Sequence, residues 1–302
     1  MNFHKELEQR TTSLEEVIRA YLPKEEGYQK TVLEAMNYSL QAGGKRLRPM
    51  MLLEIFHAYG GDEALVQPFM AAIEMIHTYS LVHDDLPEMD NDELRRGLPT
   101  THVKYGQAMA VLAGDALLNY SVEILLNAVL EETNPAIQKR MCYAMQVLYH
   151  KAGIYGMIGG QTKDVEAEKK GETSDLEQIL FIDNCKTAAL IQASLMIGAI
   201  LAGASEEDIA SLEKIGYNLG VAFQIQDDIL DITSTTEELG KPVGSDEKNH
   251  KMTYVSYRGL AGAKEDQKKM SEEAVRLLGT LSATGSLEFL AELMKHLMER
   301  KM

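Results

Sequence analysis

Apolar residues recur at helical spacing along almost the whole chain, and no other periodicity competes with them. Runs rich in Ala, Leu, Ile, Met and Glu are separated by short breaks. These fall near Pro23, Gly43-Gly44, Gly60-Gly61, Pro87, Asn134-Pro135, Gly159-Gly160, Gly171 and Gly240-Lys241-Pro242. No alternating strand pattern and no Asn-Gly or Asp-Gly hairpin signal stands out. Ser174-Asp175-Leu176-Glu177 reads as a capping box opening a long helix. There is no repeat, low-complexity segment or Gly/Ser linker. The simplest reading is one all-α domain, 1–302, of about ten or more helices.

Thr187 to Ser205 carries no charge and approaches the length of a membrane span, about 20 residues. Gln192, Ser194 and repeated Ala and Gly dilute it, so a buried helix is expected instead of a span, with a subunit interface as one place for it. The net charge is −16, from 30 basic and 46 acidic residues, which disfavours nucleic acid as a partner. Cys142 and Cys185 show neither zinc nor CxxC spacing, and a reducing cytosol suits them. The first residues contain no apolar signal-peptide core, so a cytoplasmic location is expected.

Two carboxylate clusters are embedded in this apolar helical background. The first is Asp84-Asp85-Leu86-Pro87-Glu88-Met89-Asp90, at the end of an expected helix over Phe69–Leu86. A helix C-terminus disfavours negative charge, so these acids need a cation nearby. Mg²⁺ takes one or two protein carboxylates and completes its octahedron with water and phosphate oxygens. Asp84 and Asp90 flank the proline turn and are placed to converge on such ions. The second cluster is Asp227-Asp228-Ile229-Leu230-Asp231. Gln224, Asp227, Asp228 and Asp231 share one helical face, and Gly216 and Gly220 continue the stripe as a close-packing surface. Either cluster alone reads as a solvated helix. Together they suggest two sets of hard cations around a shared cavity, which suits a diphosphate.

Cations accompany the acids. Arg95 and Arg96 follow the first cluster and offer bidentate forks to phosphate oxygens. Gly43-Gly44-Lys45-Arg46-Leu47-Arg48-Pro49 is a glycine turn entering a helix, an anion site without the P-loop pattern. Lys186-Thr187 opens the uncharged helix. Lys241, Lys248 and Lys251 follow the second cluster, and Lys248 reads as solvated surface.

The assembled motifs resemble the trans-polyprenyl diphosphate synthases over nearly the whole chain. They are GGKRLRP at 43–49, HTYSLVHDDLPEMDNDELRRGLPTTH at 77–102, AGDALL at 113–118, GGQTKDVEAE at 159–168, KT at 186–187, FQIQDDILDI at 223–232 and GKPVGSDEKNHKMTY at 240–254. The spacer in DDLPEMD is similar to that of bacterial farnesyl and plant geranylgeranyl synthases. The resemblance implies the isoprenoid synthase fold, a homodimer, and Mg²⁺, three per active site, with Mn²⁺ as an alternative. It implies that Asp84, Asp85 and Asp90 hold two ions, and Asp227 and Asp231, with Asp228 near, a third. Arg95, Lys186, Thr187, Gln224 and Lys241 would contact the allylic diphosphate or its metals. Gly44, Lys45, Arg48, His77 and Arg96 would form the isopentenyl diphosphate subsite, and Lys251 would close over it. The implied chemistry is ionisation of an allylic diphosphate, condensation with isopentenyl diphosphate and elimination of a proton. Three positions depart from the family's usual residues: Cys185, Ala188 and Val255, where His, Gly and Pro are frequent.

By the same resemblance, bulk at the fifth position before the first aspartate limits chain length. Tyr79 occupies it, with Ser80 one turn before Asp84. A floor at Tyr79 implies a fifteen-carbon product, farnesyl diphosphate. The alternatives are geranylgeranyl or geranyl diphosphate and, more remotely, a non-catalytic subunit of a heteromeric synthase. A class I terpene cyclase fits less well, because it does not need the isopentenyl-binding cations.

Overall fold

The computed structural model describes residues 3–170, 175–233 and 253–299. The chain opens with α1 (Phe3–Ala20), α2 (Lys30–Gln41), α3 (Leu47–Ala58) and α4 (Glu63–Asp84). A two-residue antiparallel ribbon follows, β1 (Leu94–Arg95) against β2 (Leu98–Pro99). Next come α5 (Thr101–Tyr105), α6 (Gln107–Glu131), α7 (Pro135–Ala152), α8 (Met157–Lys170) and α9 (Leu176–Ile182). A π-helical turn, Asp183–Ala188, runs into α10 (Ala189–Ala202) and α11 (Glu206–Thr233). Then come α12 (Tyr254–Leu278) and α13 (Glu288–Glu299). The all-α reading therefore holds. The ribbon escapes notice because its turn is Arg96-Gly97, with φ of 55° and 77°. Two positive φ values match the twist of a tight hairpin, but asparagine, not arginine, is the usual first residue.

The centre of the fold is α10. Every residue from Ala189 to Leu201 is buried. The helix is enclosed by α3, α4, α7 and α11 of the same chain. The charge-free run is thus the expected buried helix, and its own chain, not a partner subunit, covers it. Two stretches are long and apolar enough to cross a bilayer, Leu176–Ala202 and Gln107–Glu131; the apolar window is 83% buried in the first and 39% in the second. The outward apolar helix is therefore α6, which exposes Val111, Leu112, Leu126 and Leu130.

Glycines set how closely the helices approach. A Cβ at Gly216 would lie 2.6 Å from the Cα of Gln192, and one at Gly220 would lie 2.3 Å from the Cβ of Ala188. The stripe read from sequence is thus where α11 presses onto α10 and the π turn. The unusual Ala188 is accommodated because Gly220 faces it. Val255 sits in the first turn of α12, where an N–H has no partner within the helix, so the donor that valine has and proline lacks gains no helical bond there.

Four boundaries differ from expectation. The Gly159-Gly160 break is absent: α8 runs through both, and the chain turns earlier, around Gly153–Gly156. A Cβ at Gly160 would lie 2.3 Å from the Lys186 backbone nitrogen, so that glycine serves close approach to the π turn. The helix expected over Phe69–Leu86 starts at Glu63, tolerates Pro68 in its second turn, and ends at Asp84. The residue before Pro87 is pushed away from helical ψ, which favours a stop there. The N-cap of α9 is Asp175, whose carboxylate accepts from the Gln178 N–H at 2.9 Å, in place of the expected box on Ser174, which lies outside the described residues.

Candidate active site

A cavity of about 940 Å³ lies between α3, α4, α6, α8 and the π turn. Its polar wall carries Arg48, His77, Asp84, Lys186 and Thr187, five of the residues singled out in the sequence. Its apolar wall includes Tyr79, Leu81, Val111, Met157 and Ile158, with Ser80 beside Tyr79.

The first acidic cluster divides its labour. Asp84 is the last residue of α4 and faces the cavity. Burial pushes its carboxyl up to about 6, with Asp90 and Asp85 adding to the shift and Lys186 and Arg95 opposing it. Gln161 Nε2 donates to Asp84 Oδ1 at 2.9 Å. Asp85 is buried and points to Arg95, whose Nε donates to both of its oxygens at 2.7 and 2.9 Å. Asp90 is exposed, and its N–H donates to the Asp84 carbonyl at 2.8 Å. That bond closes the DDLPEMD loop and brings the two ends of the cluster together.

The basic end is built from two left-handed turns. In the first, Gly43, Gly44 and Arg46 have φ of 84°, 136° and 47°. In the second, Arg96 turns the ribbon, and its guanidinium donates to the Gly43 carbonyl. The φ of 136° is what favours glycine at position 44, and a Cβ there would also sit 2.7 Å from that guanidinium. Arg48 lines the cavity with its Nε sealed and without a hydrogen-bond partner. Burial lowers its pKa to about 10, Glu74 opposes that, and Arg96 adds to it. His77 is held well below its usual range, first by burial and then by Arg48, Arg96, Arg95 and Arg46. Positive charge therefore exceeds its local compensation here, which is the condition for receiving a polyanion. Lys45 is exposed and outside the cavity wall.

The π turn presents Lys186 and Thr187. Lys186 Nζ donates to Asp164 Oδ2 at 2.6 Å, and Thr187 donates to Gln224 Oε1 at 3.1 Å. Gln224 Nε2 then reaches Asp228 Oδ1 at 3.3 Å, which links the cavity wall to the second cluster. Asp228 and Asp231 are buried, and Asp227 is half-buried. Asp228 Oδ2 accepts from the Tyr254 N–H at 2.9 Å, fastening the start of α12 to α11. None of the three lines the cavity among the described residues. Lys241, Lys248 and Lys251 lie outside the described residues.

Among the described residues, no three His, Cys, Asp or Glu side chains are gathered as a ready ion cage. The available donors are carboxylate oxygens on α4 and α11, which are hard ligands suited to Mg²⁺ shared with phosphate oxygens. Asp84, desolvated at the cavity wall, is the acid that a cation relieves most, so the residues fit the ion.

Several residues near the acids were missed from sequence. Gln161 and Asp164 stand one turn apart on α8 and touch Asp84 and Lys186. Their signal was the GGQTKD run, hidden by reading its glycines as a break. His83 lies between Tyr79 and the acids. Its Nε2 is 3.1 Å from the Val111 carbonyl, and its ring packs edge-on against Tyr79 at 5.8 Å. A Cβ at Gly114 would lie 2.1 Å from His83 Nε2, so Gly114 of the AGDALL motif makes room for the ring.

The polyprenyl synthetase family profile matches residues 29–291. The chain is 44% identical over 288 residues to a farnesyl diphosphate synthase of Geobacillus stearothermophilus, covering 95% of each. It is 48% identical over 249 residues to the farnesyl diphosphate synthase of Bacillus subtilis, covering 82% of each. A solved structure of a Helicobacter pylori geranyltransferase, complexed with magnesium and isoprenyl diphosphate, superposes with a TM-score of 0.81 at 33% identity; the match covers 98% of this chain and 96% of that one. The fold agrees with these likenesses, and the chain belongs to the polyprenyl synthetase family.

Proposed function

We propose that the protein is a prenyltransferase that condenses isopentenyl diphosphate with dimethylallyl and then geranyl diphosphate to give (2E,6E)-farnesyl diphosphate. The observation that carries this is the cavity itself: Asp84, Lys186, Arg48 and His77 line one space, with apolar side chains beside them. That is a place for two diphosphates and a growing hydrocarbon. The similarity to two bacterial farnesyl diphosphate synthases supports the fifteen-carbon product.

Asp84, Asp85, Asp90, Asp227, Asp228 and Asp231 would hold Mg²⁺, three ions per site. When bound, Mg²⁺ supplies Lewis-acid neutralisation of the departing diphosphate. Lys186 and Thr187, with Arg95, Gln224 and Lys241, take the allylic diphosphate. They stabilise charge as its C–O bond breaks. Arg48, His77, Arg96, Lys45 and the Gly44 turn hold isopentenyl diphosphate so that its double bond lies against the allylic cation, a proximity effect. The new C–C bond forms, and a proton leaves to the released diphosphate. Lys251 closes the site. Tyr79, with Ser80 beside it, forms the floor that stops the chain.

We read residues 1–302 as one domain, because a continuous apolar core runs from Leu14 to Met298. We read the working unit as a homodimer, because α6 leaves Leu112, Leu126 and Leu130 exposed together. The two free cysteines suit the cytoplasm. The test is a product assay with Mg²⁺, labelled isopentenyl diphosphate and dimethylallyl diphosphate, followed by chromatography of the dephosphorylated products. A mainly fifteen-carbon product is expected. A ten- or twenty-carbon product overturns the chain length, and no condensation by folded protein with any allylic starter overturns the enzyme.

A further inference from the structure

Behind the basic end of the cavity lies a charged pair that touches nothing within it. The Arg46 side chain is 0% exposed and does not line the cavity. Its guanidinium donates in three directions: to Glu15 Oε1 at 2.7 Å, to Glu74 Oε1 at 2.6 Å, and to the Leu40 carbonyl at 2.6 Å. The backbone of Arg46 is left-handed, with φ of 47°, a strained state for a side chain of this size. A planar fork bonded on three sides can hold that state. The turn so held is the one that Arg96 grips through the Gly43 carbonyl and that leads directly to Arg48.

Glu74 is the second part of the argument. It is buried on α4, one turn before His77, and its field acts on both Arg48 and Arg96. Three arginines therefore compete for one buried carboxylate. Its hydrogen bond goes to Arg46, the one that faces away from the cavity.

We propose that Arg46 is a positioning residue for the isopentenyl diphosphate subsite. It fixes the Gly43–Arg48 turn in its left-handed form and holds Glu74 to itself, leaving Arg48 and Arg96 to the incoming diphosphate. This inference rests on the condensation proposed above.

The test is Arg46→Lys, which keeps the charge but cannot make three diverging planar bonds. We expect KM for isopentenyl diphosphate to rise about tenfold, the loss of one charge-assisted hydrogen bond. KM for geranyl diphosphate should stay within about twofold, and melting should remain cooperative. A folded variant in which both KM values rise together, or in which KM for isopentenyl diphosphate is unchanged, overturns the proposal. Should Arg46→Lys fail to fold, Glu15→Gln weakens one arm at a side chain that is 25% exposed. The same selective rise is expected there, about threefold, and an unchanged KM overturns the idea. If the wild type catalyses no condensation, the function proposed above falls. Calorimetric titration of isopentenyl diphosphate into the same variants then decides the positioning role separately. Weaker binding by Arg46→Lys supports it, while equal binding, or no binding by the wild type, overturns it.

Discussion

The two acidic clusters look alike in sequence, yet the fold uses them differently. The first stands at the end of α4 and gives one carboxylate, Asp84, to the cavity while tying the next, Asp85, to Arg95. The second stands on α11, and Asp228 bonds on both oxygens, to Gln224 and to the Tyr254 N–H. One cluster keeps a desolvated acid facing a space for ligand, at a cost to the fold. The other uses an acid as a fastening between two helices, where it stabilises. Aspartates with identical chemistry thus take different partners in the fold, according to which donor the backbone brings within reach.

That contrast can be broken, and the sharpest attempt is Asp84→Ala. Turnover should fall about 10³-fold or more, since charge on the leaving group loses its support. Thermal stability without metal should hold or rise, because a buried acid is removed. An Asp84→Ala protein with full activity would end the metal assignment, and one that melts far lower would put Asp84 in the framework. Asp228→Ala should cost stability as well: about 1–3 kcal/mol is lost as the Tyr254 N–H loses its acceptor. A chemical denaturation curve superposable on wild type would refute the fastening role.

Metal removal sharpens the same division. EDTA should abolish condensation and Mg²⁺ restore it, while circular dichroism of the helices stays constant. Activity that persists in EDTA would detach the acids from any cation. The smallest effect on rate is expected from Tyr79→Ala, which should lengthen the product beyond fifteen carbons. An unchanged product from that variant would show that Tyr79 only packs the core.

The sequence made the helical class plain because α3, α4, α10 and α11 carry apolar patterns too long for strands. It made the site legible because Asp84, Arg48, His77, Lys186 and Thr187 sit in motifs that keep their order, and the fold brings all five to one cavity. Other features stayed hidden. Gly159-Gly160 read as a break, but Gly160 is required by contact with the π turn, a partner more than twenty residues away in sequence. The π turn itself has no composition signature. The charge-free run read correctly as buried, but no local pattern tells a helix surrounded by its own chain from one covered by another. Gln161 and Asp164 were overlooked with the break, since their face exists only if α8 is continuous.

The fit of His83 against Gly114 ties together two stretches of sequence that otherwise look independent. A side chain at position 114 requires the His83 imidazole to move, since even a methyl group would lie 2.1 Å from its Nε2. The two positions are therefore coupled in space. Enlarging residue 114 displaces the ring that packs edge-on against Tyr79, so the change is felt at the proposed floor of the trough without touching it.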